Sequence, residues 1–285
     1  MNLETCLCAD GHAHIYPEFA LDKLFRVGLR RAAQLGRPLL LLLTESAGLD
    51  YFGALRDAAA GAAAAPPRST PDLASLARAD IALHRTEEPE SLAVRQGGRV
   101  SPELYLVAGR QFVSVEHLEV HALALDPAQP ASRLPDHVYP AEELLRRILA
   151  TGAAAVLPWG VGKWMGARGE EVVRLATMGE FAGNALFFLG DTASRCWPWP
   201  APAIFRRHAR VLPGTDILPL RGAEVGLASY GFRVCGRYDP GAPARSLLEL
   251  LRGRPAVEPY GRRQIPLSAL IDQFRYRLRR RGSRP

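Results

Sequence analysis

The feature that most constrains the fold is a run of five leucines, Leu39–Leu43, which follows a segment with helical spacing. A continuous apolar run of this length is typical of a strand that is buried on both faces, as in parallel sheets. The helical segment at residues 18–35 is itself preceded by an apolar stretch at residues 3–8. Strand, helix and strand in this order form the unit that builds parallel sheets. The same alternation returns between residues 140 and 216, so the sequence predicts an α/β fold.

The length and composition indicate a globular chain with a sizeable core. The 285 residues are 48% hydrophobic and 23% charged, and no linker divides them, so we expect a single domain over residues 1–285. The formal net charge of +7 would suit an anionic substrate. The first residues lack the features of a signal peptide and the longest apolar run is too short to span a bilayer, so we expect a cytoplasmic protein.

The four cysteines show no C-x-x-C spacing and no pattern of a disulfide framework. Cys6 and Cys8 alternate within an apolar strand pattern. We therefore expect them to be reduced, buried thiols.

Two regions depart from the alternation of strands and helices. Residues 81–125 contain short alternating runs divided by turns, which predicts β-hairpins or a small antiparallel insertion. Residues 266–281 predict an amphipathic basic helix. We expect its apolar stripe to pack on the body and its arginines to face water. Its dense arginines are more typical of a solvated helix end than of a contact with nucleic acid or a membrane surface.

Polar side chains of catalytic types follow nearly every predicted strand. Any single carboxylate among them could serve only to cap the next helix. Together they favour one site, because ligands and catalytic groups of alternating β/α folds gather at the carboxyl ends of strands. The set comprises His12 and His14 beside Asp10, and then Glu45, Lys163, Asp191 and Asp216.

The pair His12 and His14 indicates a metal site. If the chain is extended there, both side chains point to one face, since side chains of a strand alternate. Two imidazoles beside a carboxylate can begin a site for a divalent metal such as Zn, Mn or Fe. The alternative is that they are two loop histidines without a shared ligand.

Residues 159–168, with the sequence WGVGKWMGAR, combine glycines with positive charge. Glycines allow a backbone to approach a ligand closely, and Lys163 and Arg168 could hold an anion. The spacing of a Walker loop is absent. We expect this segment to form the lip of a site, with Trp159 either lining the substrate pocket or only packing in the core.

Short motifs resemble the PHP (polymerase and histidinol phosphatase) family. Residues 10–14, with the sequence DGHAH, resemble its first motif, D-x-H-x-H, and residues 214–218, with the sequence GTDIL, resemble its last, G-S-D-A-H. Residues 109–111 and 118–121 resemble its G-x-E motif and the strand after it. The resemblance implies a distorted (β/α)7 TIM-like barrel and metal-dependent hydrolysis, typically of phosphoesters, at the C-terminal mouth of that barrel. Amidohydrolases share the H-x-H opening and the late aspartate.

The chain departs from the PHP pattern at three positions. Gln111 stands in place of a bridging glutamate, while Leu218 and the pair Pro158-Trp159 stand in place of histidines. A cluster of three metals is therefore not expected. The remaining ligands would hold one metal or two: His12, His14 and Asp216, with Glu45, Asp191 or His121 as a fourth.

The leading hypothesis is a metal-dependent hydrolase, most simply a phosphoesterase. Asp191 or Glu45 would act as a further ligand or general base, and Lys163, with Arg168 or Arg195, would hold a small anionic substrate. The alternative is a catalytically degenerate PHP-like barrel that binds a ligand or partner, which the lost glutamate and histidines favour. A nucleic-acid partner is a third hypothesis that depends only on the basic tail and on the pI of about 9.6.

Overall fold

Strands and helices follow one another along most of the chain. The computed structural model describes residues 5–61, 72–97, 104–208 and 210–282. The strands are β1 (Thr5–Ala13), β2 (Leu39–Leu43), β3 (Ile81–Arg85), β4 (Ser91–Gln96), β5 (Leu104–Val107), β6 (Gly109–Val113), β7 (Glu119–Leu123), β8 (Ala154–Pro158), β9 (Phe187–Thr192), β10 (Val211–Gly214), β11 (Tyr230–Gly236) and β12 (Glu258–Gly261). The helices are α1 (Leu21–Leu35), α2 (Tyr51–Ala59), α3 (Leu73–Arg78), α4 (Ala141–Ala150), α5 (Ala167–Thr177), α6 (Gly179–Ala182), α7 (Ala203–His208), α8 (Pro243–Arg252) and α9 (Pro266–Gly282). In the described ranges, no helix combines the length and apolarity needed to cross a membrane.

The first sheet has seven strands in the order β12-β11-β1-β2-β5-β4-β3. Its centre is parallel, because β2 pairs in parallel with both β1 and β5. The strands on either side of this centre pair in antiparallel fashion. All five leucines of β2 are buried, as expected of a central parallel strand that is covered on both faces.

The second sheet has five strands in the order β10-β9-β8-β7-β6. β8, β9 and β10 are parallel, and β7 and β6 continue the sheet in antiparallel fashion. Helix α4 covers one face with the buried side chains of Leu144, Leu145 and Ile148. These residues repeat at helical spacing, and their burial explains why this segment forms a helix against the sheet.

The predicted (β/α)7 TIM-like barrel is wrong, because the strands form two separate sheets rather than one closed ladder. The two sheets share a buried core, to which Leu42 of β2 and Val156 of β8 both contribute, and backbone contacts also join them. The amide of Asp216 donates to the carbonyl of His12 at 2.9 Å, and Glu45 and Arg110 form an isolated bridge. The alternation of strands and helices predicted parallel pairing correctly, but hydrophobic periodicity does not encode which strands end a sheet. Antiparallel strands extend the first sheet on both sides of its parallel centre.

The region 81–125, for which an antiparallel insertion was predicted, contributes to both sheets. Strands β3, β4 and β5 belong to the first sheet, and β6 and β7 belong to the second. The pairs β3–β4 and β6–β7 are antiparallel. This region therefore supplies structural strands and also the residues of β6 and β7 that lie near the histidines of β1.

The prediction that Cys6 is a reduced thiol is wrong. Cys6 of β1 and Cys235 of β11 lie directly opposite each other in the antiparallel ladder and form a disulfide. Cys8 and Cys196 remain free, and Cys8 is buried. The two bonded cysteines are 229 residues apart, so no local spacing in the sequence could indicate their pairing.

The last helix, α9, is oriented opposite to the prediction. Its apolar residues were expected to pack on the body, yet they are exposed. Polar contacts hold the other side of the helix instead: Arg279 forms an ion pair with Glu18, and Asp272 accepts a hydrogen bond from Gln264. The amphipathic pattern indicated a helix correctly, but such a pattern does not show which surface the apolar side chains contact.

Candidate metal centre

The candidate centre lies where β1 approaches β10. A Cβ atom on Gly11 would come within 2.7 Å of the carbonyl oxygen of Pro213, so only glycine allows this approach. Gly214 faces the backbone of His12 in the same way. These two glycines bring the H-x-H segment of β1 next to the loop that carries Asp216.

The side chains of His12, His14 and Asp216 converge, and each of the three offers one ligand atom. The Nε2 atoms of His12 and His14 are 3.0 Å apart. The Oδ1 atom of Asp216 lies 3.6 Å from the first and 3.8 Å from the second. A tetrahedral ion with bonds of about 2.1 Å separates its ligand atoms by about 3.4 Å. The three atoms can therefore share one metal ion.

The protonation states of the three groups also suit a metal. Burial, with a contribution from nearby positive charge, lowers the pKa of His12 well below its usual value and the pKa of His14 to about 3. Both imidazoles are neutral at physiological pH, which is the form that binds metals. Burial raises the pKa of Asp216 to about 7, although Lys163 acts in the opposite direction. A cation between the three would favour the ionised form of Asp216.

Asp10 positions the centre rather than joining it. Its buried carboxylate accepts hydrogen bonds from the amides of His12 at 3.1 Å, Thr215 at 2.8 Å and Ala228 at 3.0 Å. The hydroxyl of Thr215 donates to it as well. These bonds connect the strand with the two histidines to the loop that carries Asp216. Asp10 is close to the histidines in sequence, but its carboxylate accepts hydrogen bonds from protein groups and is not one of the three converging ligand atoms.

His121, one of the predicted fourth ligands, lies beside the group but outside it. Its ring packs edge-on against His12, with ring centroids 4.3 Å apart. Its Nε2 atom is 3.2 Å from Oε1 of Gln111. The Nδ1 atoms of His12 and His121 are buried without a hydrogen-bond partner. Gln111 therefore contacts a histidine.

Asp191 and Arg195, predicted for catalysis and substrate binding, pair with each other. The Nε atom of Arg195 donates to Asp191 Oδ1 at 2.6 Å, and both side chains are buried. The hydroxyl of Tyr230 donates to the other oxygen at 2.8 Å. This carboxylate already has a buried cation, so it does not join the three ligands.

Glu45, the other predicted base or ligand, lies over a different cleft. Its carboxylate accepts a hydrogen bond from the amide of Phe52 at 2.9 Å and lies 3.7 Å from Arg110. Burial raises the pKa of Glu45 to about 7, and both of these partners act in the opposite direction. The cleft that it lines measures about 340 Å³ and also contains Arg56 and Arg133.

Lys163 lies close enough to the centre to lower the pKa of His14 and of Asp216. It forms an ion pair with Glu119 and leaves 39% of its side chain exposed. Burial would lower the pKa of Lys163, but Glu119 and Asp216 outweigh burial and raise it. Glu119 was not predicted as a site residue. Its spacing of two from His121 on β7 is the signal that could have indicated it.

The remaining predicted residues, Trp159 and Arg168, make contacts with residues other than the three ligands. Trp159 is buried and packs edge-on against Trp199, with ring centroids 5.7 Å apart. Arg168 is exposed and donates to the carbonyl of Gly162 at 3.1 Å. The loop of residues 159–168 thus contributes Lys163 to the surroundings of the centre, while Trp159 contributes to the core.

Asp216 borders a cleft of about 410 Å³ between its own loop and α9. Arg221 and Arg275 line this cleft and give it positive charge, and Gln264 and Gln273 add polar groups. None of these four residues was predicted as a site residue. They come from loops and a helix that are distant in sequence from the histidines, so no motif connects them.

Comparison with known proteins shows similarity of fold. No protein-family model matches the chain, and no curated protein matches its sequence. The fold is similar to that of PsfC from Pseudomonas syringae PB-5123, with a TM-score of 0.56, 11% sequence identity, and coverage of 96% of this chain and 99% of PsfC. Endonuclease Q, in complex with a 27-mer duplex that has an abasic lesion at the active site, aligns with a TM-score of 0.49 and 12% identity over 89% of this chain and 58% of its own. The second score is too low to carry a functional inference.

Proposed function

We propose that this chain is a metal-dependent hydrolase with one divalent ion held by His12, His14 and Asp216. The observation that carries the proposal is the convergence of two neutral imidazoles and a carboxylate, with ligand atoms separated by 3.0 to 3.8 Å. A donor set of two nitrogens and one oxygen suits Zn, Mn or Fe, and three protein ligands are typical of catalytic rather than structural zinc sites. A divalent ion bound at such a site lowers the pKa of water from about 16 toward about 7 and so supplies hydroxide at neutral pH.

The surrounding residues would position the ligands and the substrate. Asp10 holds the loop of Asp216 against the strand with the histidines through its hydrogen bonds to Thr215 and His12. Lys163, fixed by Glu119, would contact an anionic oxygen of the substrate. Arg221 and Arg275 would attract the same charge into the cleft beside Asp216. We therefore propose a small anionic substrate, with a phosphoester as the first class to test.

The proposal changes two of the predicted roles. Asp191 is not proposed as a general base, because Arg195 and Tyr230 occupy both of its oxygens. Glu45 is not proposed as one either, because it lines a different cleft from Asp216. Glu119 and Asp10 both lie close enough to Asp216 to raise the pKa of Asp216, and Glu119 also pairs with Lys163. Glu119 is the group we propose to keep the ammonium of Lys163 in place.

The second candidate is a protein that binds a ligand without hydrolysing it. Two observations favour it: Gln111 stands where the PHP motif has a carboxylate, and Asp191 and Lys163 each have a partner within the protein. Both candidates would bind a metal, so metal binding alone does not distinguish them. Hydrolysis of a substrate distinguishes them, because only the first candidate would catalyse it.

The test is metal analysis of the purified protein, followed by assays on phosphomonoesters, phosphodiesters and cyclic amides with Zn, Mn and Fe in turn. We expect about one bound ion per chain and hydrolysis of at least one phosphoester. The variant His12→Ala/His14→Ala should lose both. His84→Ala/His137→Ala removes two exposed histidines elsewhere and should lose neither. A folded protein that binds a metal but hydrolyses nothing would favour the second candidate, and one that binds no metal would contradict the metal site itself.

A further inference from the structure

Helix α9 presents an apolar face to solvent. Leu267, Leu270 and Phe274 are each more than 60% exposed. The whole apolar face of α9 comprises Leu267, Leu270, Ile271, Phe274 and Leu278. Five large apolar side chains on one exposed helix face form a patch of the kind that marks an interaction surface.

Polar contacts on the opposite side fix this orientation. Arg279 forms an ion pair with Glu18, and its guanidinium also donates to the carbonyl of Pro219. Asp272 accepts a hydrogen bond from Gln264 at 3.1 Å. Gln273 lines the cleft beside Asp216. The helix is therefore held to the body by its polar side, and its apolar face is directed away from it.

Arginines flank the apolar face on both sides. Successive residues of a helix are rotated by about 100° around its axis. In a view down the axis, the residues of the apolar face span roughly 100° of arc. Arg275 and Arg277 lie about 80° to either side of the centre of this face. Both arginines are exposed. A narrow apolar stripe with positive charge on both sides is typical of helices that lie in the surface of an anionic membrane.

Two exposed tryptophans extend the surface at the start of the helix. The amide of Trp197 donates to the carbonyl of Gln264 at 3.0 Å, directly before the exposed Ile265. Trp199 is also exposed, and Arg263 donates to its carbonyl at 3.1 Å. Tryptophan is enriched where apolar surface meets the headgroups of a bilayer.

We propose that the apolar face of α9, with Trp197 and Trp199, binds the surface of an anionic lipid bilayer, with the helix parallel to the membrane plane. Apolar side chains would enter the acyl boundary, and Arg277 would contact acidic headgroups. A second copy of the chain is disfavoured, because two such faces would bring their flanking arginines together. A nucleic acid is disfavoured, because phosphates would leave the apolar face uncovered.

The test is flotation of the full chain with vesicles of phosphatidylcholine alone or of phosphatidylcholine and phosphatidylglycerol in equal amounts. We expect binding to the anionic vesicles, at least about tenfold weaker binding to neutral ones, and a blue shift of tryptophan emission on binding. Leu270→Glu/Phe274→Glu should weaken binding at least about tenfold. Val115→Glu/Val138→Glu, at exposed positions outside α9, should not.

Four results would overturn the proposal. They are a folded wild-type chain that binds neither vesicle, equal binding to both vesicles, binding that survives Leu270→Glu/Phe274→Glu, and binding to a DNA duplex in place of vesicles. Light scattering adds a further outcome of the same kind. If the wild-type chain is a dimer and the α9 variant is a monomer without lipid, a second copy covers this face.

Discussion

The ends of β1 and β9 both carry polar residues that could serve a catalytic site, yet their environments differ in one respect. At the end of β9, Asp191 has a buried arginine and a tyrosine hydroxyl as partners. At the end of β1, His12 and His14 face Asp216, and no arginine or lysine is bound to that carboxylate in the described part of the chain. The charge of Asp191 at the end of β9 is balanced by groups of the protein, whereas the group at the end of β1 provides ligand atoms suited to a cation. A polar strand end thus indicates a ligand site only when its charge is not already paired.

The largest effect should come from removing a ligand at the end of β1. His14→Ala leaves two protein ligands, and we expect metal affinity to fall at least about 10,000-fold, or roughly 5.5 kcal/mol. Hydrolysis should fall to background. Titration with Zn monitored by calorimetry measures the affinity. Unchanged affinity in His14→Ala would break the comparison, because the end of β1 would then not be the metal site.

At the end of β9 the expected effect is on stability. Arg195→Met leaves Asp191 as a buried carboxylate without its cation, which should lower the free energy of unfolding by about 3–5 kcal/mol. Metal content per folded chain should not change. Urea denaturation and metal analysis measure the two quantities. The double variant Asp191→Leu/Arg195→Met should recover much of the lost stability, because it leaves no unpaired buried charge. Loss of the metal in folded Arg195→Met would place β9 in the same site as β1.

Glu45, at the end of β2, should have an effect of intermediate size on the free energy of unfolding, and this effect should depend on pH. Burial raises the pKa of Glu45 from 4.5 to about 7 in the folded chain, so the folded state binds more protons than the unfolded state between these values. The contribution of Glu45 to stability is complete below pH 4.5, where its carboxyl group is protonated, and is lost as the pH rises through 7. Its upper bound is about 3 kcal/mol.

The matched variant is Glu45→Gln, which keeps an acceptor for the amide of Phe52. Its stability, relative to that of the wild type, should rise between pH 4.5 and 7.5 by up to the same amount. Denaturation at several pH values measures this difference. A difference that does not vary with pH would mean that Glu45 titrates normally and has its charge balanced as fully as Asp191.

The smallest effect on stability is expected after β8. Lys163 and Glu119 are partly exposed, so Lys163→Met should change the free energy of unfolding by less than about 1 kcal/mol. If Lys163 binds the substrate anion, KM should rise by about tenfold or more while metal content stays constant. Lys23→Met, at an exposed position of helix α1, is the matched lysine control and should leave KM unchanged. An unchanged KM in Lys163→Met would assign this ion pair to structure alone.

The sequence predicted the convergence of His12, His14 and Asp216 because the signals of these residues are local. The spacing of His12 and His14 follows from the two-residue period of a strand, and Asp216 follows Gly214 within a short motif. The partners of Asp191 carry no comparable signal, because Tyr230 is 39 residues away in sequence. Whether a charge is paired depends on the tertiary structure, and the sequence pattern could not distinguish the two strand ends.

The errors in the predicted fold have a related cause. Strands and helices were predicted from periodicity, but the closed barrel depended on the pairing of strands at the ends of the two sheets, which periodicity does not describe. For α9, the pattern gave an amphipathic helix without specifying its orientation. Contacts such as that between Arg279 and Glu18 decide the orientation, and these residues are 261 positions apart.

The disulfide between Cys6 and Cys235 shortens the path along the chain between the proposed ligands. Through the backbone alone, His12 and Asp216 are separated by about 200 residues, but through the disulfide the path is only about 25 residues. Loop-closure entropy grows with the logarithm of length, so bringing these two side chains together costs about 2 kcal/mol less in the cross-linked chain. Reduction of this one bond would therefore weaken assembly of the ligand set even though neither sulfur contacts it.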